Sequence, residues 1–239
     1  MKTLLPILLF GLLVTDPSDN HPYPTKSNHV TSRIQEEAIA GGGLGIADNE
    51  NSRKLSPYAL SLIEDFEGWI PEPYDDASNY CTIGFGHLIA KAPCSSSRDS
   101  LKKYANPLAR KDGESILSKD AALASAAVSK TVQVALTDQQ FGALASFVFN
   151  VGADNFSRSS LVQYVNLGQF KSATREFGKW VKSNNKVLDG LVSRRACEAA
   201  LFSGQIPVGG ETTFNRTNCR SEGAAPDSED LIDIATGER

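Results

Sequence analysis

The sequence lacks the features that several broad classes of protein require. No apolar run reaches about 18 residues, the length that a membrane-spanning helix needs. The chain holds three histidines and one methionine among 239 residues, with no glycine-rich phosphate loop and no cluster with metal-ligand spacing. We therefore expect no metal and no cofactor. A formal net charge of −4 also argues against a nucleic-acid-binding protein.

The first residues have the composition of an export signal. One cation, Lys2, precedes an apolar stretch from Leu4 to Val14, which is typical of a secretory signal peptide. No small-x-small cleavage triplet follows Val14, so an uncleaved signal-anchor is the alternative. We expect one of these over residues 1–15, and a secreted protein, or a periplasmic one if the source cell has an outer membrane.

The rest of the chain divides into three parts by composition. Residues 16–54 are polar and glycine-containing, which predicts a flexible linker or pro-segment. Residues 55–205 carry most of the large apolar side chains, and we expect one folded domain there. Residues 206–239 are acidic and poor in large apolar residues, which predicts a flexible tail. We expect a monomer without stable membrane association after processing.

Local signals near the start of this domain predict a helix and then a short β-region. Ser56 followed by Pro57 is typical of a helix start, and Gly68 of a helix end. Turn-forming residues and a β-like run over residues 74–87 predict a small hairpin or meander.

Helices are predicted for the remainder of the domain. Thr137 and Gln140 have the spacing of a capping box, Ser159 or Ser160 could cap the next helix, and Asp189 could cap the last one. A small β-element followed by several helices predicts an α+β fold that is mostly helical.

Two carboxylic acids near the first helix end suggest acid–base chemistry. Glu67 is the last residue of that helix, where unpaired carbonyls disfavour a negative charge, and Phe66 and Trp69 add desolvation. Asp76 lies among polar turn residues, where a carboxylate stays ionised. Such a pair is typical of glycoside hydrolysis, although an ordinary helix end and an ordinary turn explain the same residues.

The spacing of these residues carries a family resemblance. Glu67, Asp76 and Thr82 stand nine and then six residues apart, and Thr82 opens the run Thr-Ile-Gly-Phe-Gly-His. This arrangement resembles the phage T4-type lysozymes, glycoside hydrolase family 24. Further matches follow in the same order within residues 56–204: Phe147-Val148-Phe149-Asn150-Val151-Gly152, Phe177 with Trp180-Val181, and Gly190-Leu191-Val192-Ser193-Arg194-Arg195.

The resemblance implies a lysozyme-like fold and three catalytic roles. Glu67 matches the general acid, Asp76 the carboxylate that assists water or stabilises the oxocarbenium charge, and Thr82 the residue that holds that water. Inversion at the anomeric carbon needs carboxyls about 6.5–9.5 Å apart. Asp75 competes for the aspartate role, and only the six-residue step to Thr82 favours Asp76. Thr82 by itself is also compatible with an ordinary strand threonine.

The resemblance also implies supporting and substrate-binding residues. Arg194 matches an arginine that pairs with the catalytic glutamate; it would favour the ionised carboxyl, against the helix-end effect, and the sequence leaves open which dominates. Leu88, Phe149, Asn150 and Ser160 match positions that line the sugar cleft, with a core position nearly as well supported for Phe149.

The predicted export determines the expected state of the cysteines. Four cysteines permit three pairings, and in an exported chain we expect Cys81 to pair with Cys94 and Cys197 with Cys219. Four reduced, partly buried thiols are the alternative.

The implied function is hydrolysis of bacterial peptidoglycan. The bond would be the β-1,4 link between N-acetylmuramic acid and N-acetylglucosamine, as in lysozymes. A catalytically silent peptidoglycan-binding protein and a lytic transglycosylase on the same fold are the alternatives, and retention of Asp76 and Thr82 beside Glu67 disfavours both. Phage lysis, wall remodelling, defence and digestion all use this chemistry.

Overall fold

The computed structural model describes residues 53–76, 78–206, 212–219 and 230–238. The predicted export signal and nearly all of the predicted linker lie outside the described residues. The structure is mostly helical with a small antiparallel sheet, which confirms the predicted α+β class. Its elements in chain order are α1 (Pro57–Glu67), β1 (Ile70–Asp75), β2 (Cys81–Gly84), β3 (His87–Ala90), α2 (Arg98–Leu101), α3 (Arg110–Thr131), α4 (Asp138–Val151), α5 (Ala153–Arg158), α6 (Ser160–Asn166), α7 (Phe170–Phe177), β4 (Lys182–Ser183), β5 (Lys186–Val187) and α8 (Asp189–Phe202).

Helix α1 begins and ends where the sequence predicts. The Ser56 side chain accepts a hydrogen bond from the Ala59 amide, and Pro57 occupies the first helical position. Gly68 adopts φ 71° and its amide donates to the Glu64 carbonyl, a conformation that a residue without Cβ adopts at little cost. The stop at Gly68 makes Glu67 the last residue of the helix.

The three strands after α1 form one meander. Strand β2 pairs antiparallel with β1 on one side and β3 on the other. Tyr74 is the cross-strand partner of Thr82, and Thr82 is the partner of Leu88. Because cross-strand partners point to the same face of a sheet, these three side chains share one face.

Helix α4 forms the centre of the core and contacts α1, α3 and α8. The predicted capping box is present at its start: Thr137 accepts from the Gln140 amide while the Gln140 side chain accepts from the Thr137 amide. Close packing against α1 is possible because residue 142 is glycine; a Cβ there would lie 2.6 Å from the Ala59 Cβ. This contact fixes α1, and therefore Glu67, against the core.

Three features of the helical region differ from the prediction. Helix α5 and the hairpin of β4 and β5 were not predicted. The Asp189 cap is wrong: Leu188 holds the N-cap position with no side-chain hydrogen bond, and Asp189 is the first helical residue. There its negative charge still lies at the positive end of the helix dipole.

Both predicted disulfides are present, Cys81–Cys94 and Cys197–Cys219. Cys219 belongs to the region predicted as a flexible tail, and that prediction is wrong for residues 212–219 and 230–238. Phe214 and Ile234 are buried in the main core, at 6% and 1% exposure, and Leu231 and Ile232 pack against it. None of the helices described is long and apolar enough to span a membrane.

Candidate active site

Glu67 is held between the helical core and the β-meander. Glu67 is 6% exposed, and its Oε1 accepts a hydrogen bond from Arg194 Nη1 at 2.6 Å. Gly86 lies in the turn between β2 and β3, where a Cβ would sit 3.7 Å from Glu67 Oε2. The arginine therefore contacts one carboxyl oxygen, and the other oxygen faces the meander.

Arg194 connects Glu67 to a second buried carboxylate. Its Nε donates to Glu198 Oε1 at 3.2 Å, and its Nη2 donates to the Ser146 carbonyl at 3.2 Å. The Ser146 hydroxyl also donates to Glu198 Oε1 at 2.7 Å. Burial lowers the pKa of Arg194, but the carboxylates of Glu67 and Glu198 more than offset it, so the pKa stands above its ordinary value.

Arg195 completes this charge network through Glu198. Its Nη1 lies 3.0 Å from Glu198 Oε2, and its Nη2 donates to Asn150 Oδ1. Burial lowers the pKa of Arg195 to about 10, which still leaves the guanidinium charged at neutral pH. Two guanidinium groups thus face two carboxylates in the core, and Arg194 is fixed from several directions.

Asp75 and Asp76 have different surroundings, although they are neighbours in sequence. Asp76 is buried, and its Oδ1 accepts from the Ser78 amide at 2.8 Å and the Tyr80 amide at 2.9 Å. Asp75 is exposed, and its Oδ1 accepts from the Cys94 amide at 2.7 Å. Asp76 is therefore held in the turn after β1, whereas Asp75 fastens the loop that the Cys81–Cys94 disulfide closes.

Tyr74 is a site residue that the sequence analysis missed. It stands opposite Thr82 in the sheet, and its hydroxyl oxygen is buried. Burial, then the charge of Glu67 and then the charge of Asp76 raise the pKa of Tyr74. The Tyr74 phenol therefore stands opposite Thr82 in the sheet and is near enough to Glu67 and Asp76 for both charges to act on it. Period-two alternation between positions 74 and 76 was the available signal.

Thr82 is buried at 1% exposure, and its hydroxyl donates to the Tyr80 carbonyl at 3.0 Å. Since that bond uses its only proton, the lone pairs of Oγ1 are the part of the hydroxyl that can accept a hydrogen bond from water.

The four predicted substrate-binding residues lie in different environments. Leu88 is buried opposite Thr82. Phe149 is 1% exposed within the core cluster, which favours the core interpretation over a cleft position. Asn150 is buried, and its Oδ1 accepts a hydrogen bond from Arg195. Ser160 is exposed at the start of α6, while Ser159 provides the cap.

Glu198 and Ser146 were also missed by the sequence analysis. Glu198 follows Arg194 by four residues on α8, and this i,i+4 spacing was a usable signal. Ser146 gave no such signal because it reaches Arg194 from another helix.

One group of potential metal ligands occurs in the described part of the chain: Asp75, Cys81 and Cys94. Both thiols of this group are joined in the disulfide, which leaves one carboxylate and no metal centre there.

A protein-family model described as phage lysozyme matches residues 64–198. The match covers more than half of the chain and includes Glu67, Asp76, Thr82 and Arg194. The chain belongs to the phage lysozyme family. These four candidate site residues therefore lie in the region that this chain shares with the phage lysozyme family.

Individual relatives and solved structures agree with this assignment. The endolysin of Bacillus phage B103 is 34% identical over 186 residues, which cover 76% of this chain and 66% of that endolysin, so this chain spans just under two thirds of its length. The muramidase domain of SpmX from Asticaccaulis excentricus is 30% identical, with a TM-score of 0.51 over 60% of this chain and 93% of that one. A mutant of P22 lysozyme is 26% identical, with a TM-score of 0.55 over 63% of this chain and 99% of that one.

Proposed function

We propose that this member of the phage lysozyme family is a lysozyme. It hydrolyses the β-1,4 bond between N-acetylmuramic acid and N-acetylglucosamine in bacterial peptidoglycan and uses no metal or cofactor. The observation that carries the proposal is the buried Glu67 carboxyl, held by Arg194 on one side and facing the turn of the meander at Gly86 on the other, next to the sheet whose first strand is followed by the fixed Asp76 carboxyl. Glycoside hydrolysis requires such a pair of carboxyls.

In this proposal the two carboxyls have different tasks because their partners differ. Glu67 gives its proton to the glycosidic oxygen as the bond to the anomeric carbon breaks. Asp76 keeps a fixed orientation through two backbone amides and takes a proton from the attacking water, which Thr82 orients. The water oxygen forms the new bond to the anomeric carbon with inversion. Solvent then returns Glu67 and Asp76 to their starting protonation states.

Arg194 is the positioning residue of this mechanism. By donating to Oε1, it fixes the plane of the Glu67 carboxyl and leaves Oε2 on the side of Gly86 and the meander. The same ion pair, with the nine- and six-residue spacing, supports placing this chain with the T4-type enzymes of glycoside hydrolase family 24.

The proposed substrate also determines the proposed location and assembly. Peptidoglycan lies outside the cytoplasmic membrane, so we propose that the protein is exported with the help of residues 1–15 and works as a monomer. Of the proposed substrate-binding residues, we retain Leu88, because it shares a sheet face with Tyr74 and Thr82, and Ser160, because it is exposed.

Product analysis tests this function against its alternatives. Purified full-length protein is incubated with peptidoglycan, and the released fragments are examined by mass spectrometry. We expect fragments that end in reducing N-acetylmuramic acid. Anhydro ends would instead indicate a lytic transglycosylase, and binding without release would indicate a silent peptidoglycan-binding protein.

A further inference from the structure

A segment outside the family match packs against the helix that carries Glu67. Residues 212–219, here called the clamp segment, follow the matched region, and Phe214 is their buried anchor. Its ring centroid lies 5.8 Å from that of Tyr58 and 6.2 Å from that of Phe66, and its amide donates to Ser61 Oγ at 3.0 Å. All three partners belong to α1, so the clamp segment covers one side of this helix.

Arg216 extends this contact to the residues just before Glu67. Its Nε donates to the Asp65 carboxylate and its Nη2 donates to the Asp65 carbonyl. Its guanidinium carbon also lies 4.3 Å from the centroid of the Phe66 ring, a favourable cation–π distance. Arg216 thus contacts the two residues that precede Glu67 in the last turn of α1.

The Phe66 ring relates Arg216 to the arginine that holds Glu67. The guanidinium carbon of Arg194 lies 5.6 Å from the centroid of this ring. Phe66 is therefore in contact with one guanidinium from the clamp segment and one from α8. A shift of Phe66 would change the position of Glu67 relative to Arg194, because Phe66 and Glu67 are adjacent in one rigid helix.

The far end of the clamp segment is bonded covalently to α8. The disulfide joins Cys219 to Cys197, and Cys197 lies on the helix that also carries Arg194 and Glu198. The clamp segment therefore contacts α1 through Phe214 and Arg216 and is bonded to α8 through Cys219. The Glu67–Arg194 ion pair joins the same two helices inside the protein.

We propose that the clamp segment holds α1 and α8 in the relative position that the Glu67–Arg194 pair requires, with Arg216 as a positioning residue. The inference rests on the proposed lysozyme activity. Displacement of a reacting group by about 1 Å can cost about 100-fold in rate, so a loosened clamp lowers kcat. The clamp segment contacts α1 and α8, whereas the proposed substrate-binding residues Leu88 and Ser160 belong to β3 and α6, so KM stays unchanged.

Full-length variants test this proposal by steady-state kinetics on soluble peptidoglycan fragments, well below the melting temperature of each variant. We expect Arg216→Ala and the double variant Cys197→Ser/Cys219→Ser to lower kcat about tenfold at constant KM. The expected loss is smaller than about 100-fold because these changes should displace Glu67 by less than about 1 Å. Arg216→Lys keeps a cation over Phe66 and should restore most of the loss. The matched control is Ile234→Ala, which removes a buried side chain from residues 230–238, the other C-terminal segment that packs on the domain. It should lower the melting temperature without lowering kcat.

Retention of native kcat in both clamp variants would overturn the proposal. An equal loss of kcat in Ile234→Ala would also overturn it, because general destabilisation would then explain the result. Hydrogen exchange provides a readout that does not depend on activity: the Gly68 amide, which donates to the Glu64 carbonyl at 3.0 Å, should exchange faster in Arg216→Ala than in Ile234→Ala. Equal exchange would contradict the clamp, whereas an inactive native chain would contradict the lysozyme assignment alone.

Discussion

Arg194 Nη1 donates to Glu67 Oε1 at 2.6 Å, and both side chains are buried. This contact joins the end of α1 to the middle of α8. It belongs to a network in which Glu198 accepts from Arg194 and pairs with Arg195, so the buried charges are balanced. The Glu67 carboxyl is therefore held in one orientation, with Oε1 toward Arg194 and Oε2 toward the turn at Gly86.

Removal of Arg194 tests the stability of this network. We expect Arg194→Met to lower the free energy of unfolding by about 3–5 kcal/mol, because Glu67 and Glu198 lose a shared buried counter-ion. Urea denaturation measures the change. Lys102→Met serves as the control, since the Lys102–Asp99 pair is exposed and contributes little. A loss no greater than that of the control would contradict the interpretation.

Substitution of the neighbouring residues Asp75 and Asp76 should affect kcat very differently. We expect Asp76→Asn to lower kcat by about 10²- to 10⁴-fold, because a carboxylate that takes a proton from water is lost. Asp75→Asn removes only a charge that fastens the loop at Cys94 and should keep kcat within a few-fold of the native value. Kinetics of both variants on peptidoglycan fragments decide between them, and the reverse order of effects would assign the catalytic role to Asp75.

Tyr74 should make stability fall with alkaline pH. Burial and the charges of Glu67 and Asp76 raise the pKa of Tyr74 in the folded state, so above about pH 10 the unfolded chain loses this proton while the folded chain keeps it. The free energy of unfolding should therefore decrease by about 1.4 kcal/mol per pH unit there. In urea denaturation at a series of pH values, Tyr74→Phe should lack this part of the decrease. Equal slopes of the free energy of unfolding against pH in the two proteins would contradict a raised pKa of Tyr74.

Features with local causes could be predicted from the sequence. Ser56 and Gly68 delimit α1 through hydrogen bonds within a few residues, and the Thr137 capping box is equally local. The Asp189 cap failed because Asp189 entered the helix itself. The docking of Phe214 and Ile234 was not predicted, since a single phenylalanine and the short run Leu231-Ile232-Asp233-Ile234 are too short to give a periodic pattern.

The candidate site was predictable to the extent that it follows spacing along the chain. Glu67, Asp76 and Thr82 were identified in this way, and Arg194 through the shared motif. Tyr74 and Ser146 were missed because their parts in the site depend on contacts between separate elements. Asn150 was predicted to line the cleft, yet its side chain accepts from Arg195 in the core, a contact that only the packing of α4 against α8 creates.

The most direct test of the account compares Glu67→Gln with Glu64→Gln in the release of reducing ends from peptidoglycan. Both residues lie on α1, and the half-buried Glu64 pairs with the exposed Arg110, so each substitution removes one carboxyl from the same helix. We predict that Glu67→Gln abolishes measurable hydrolysis while Glu64→Gln retains it and both proteins fold. Native rates in a folded Glu67→Gln variant would contradict the assignment of Glu67 as the general acid.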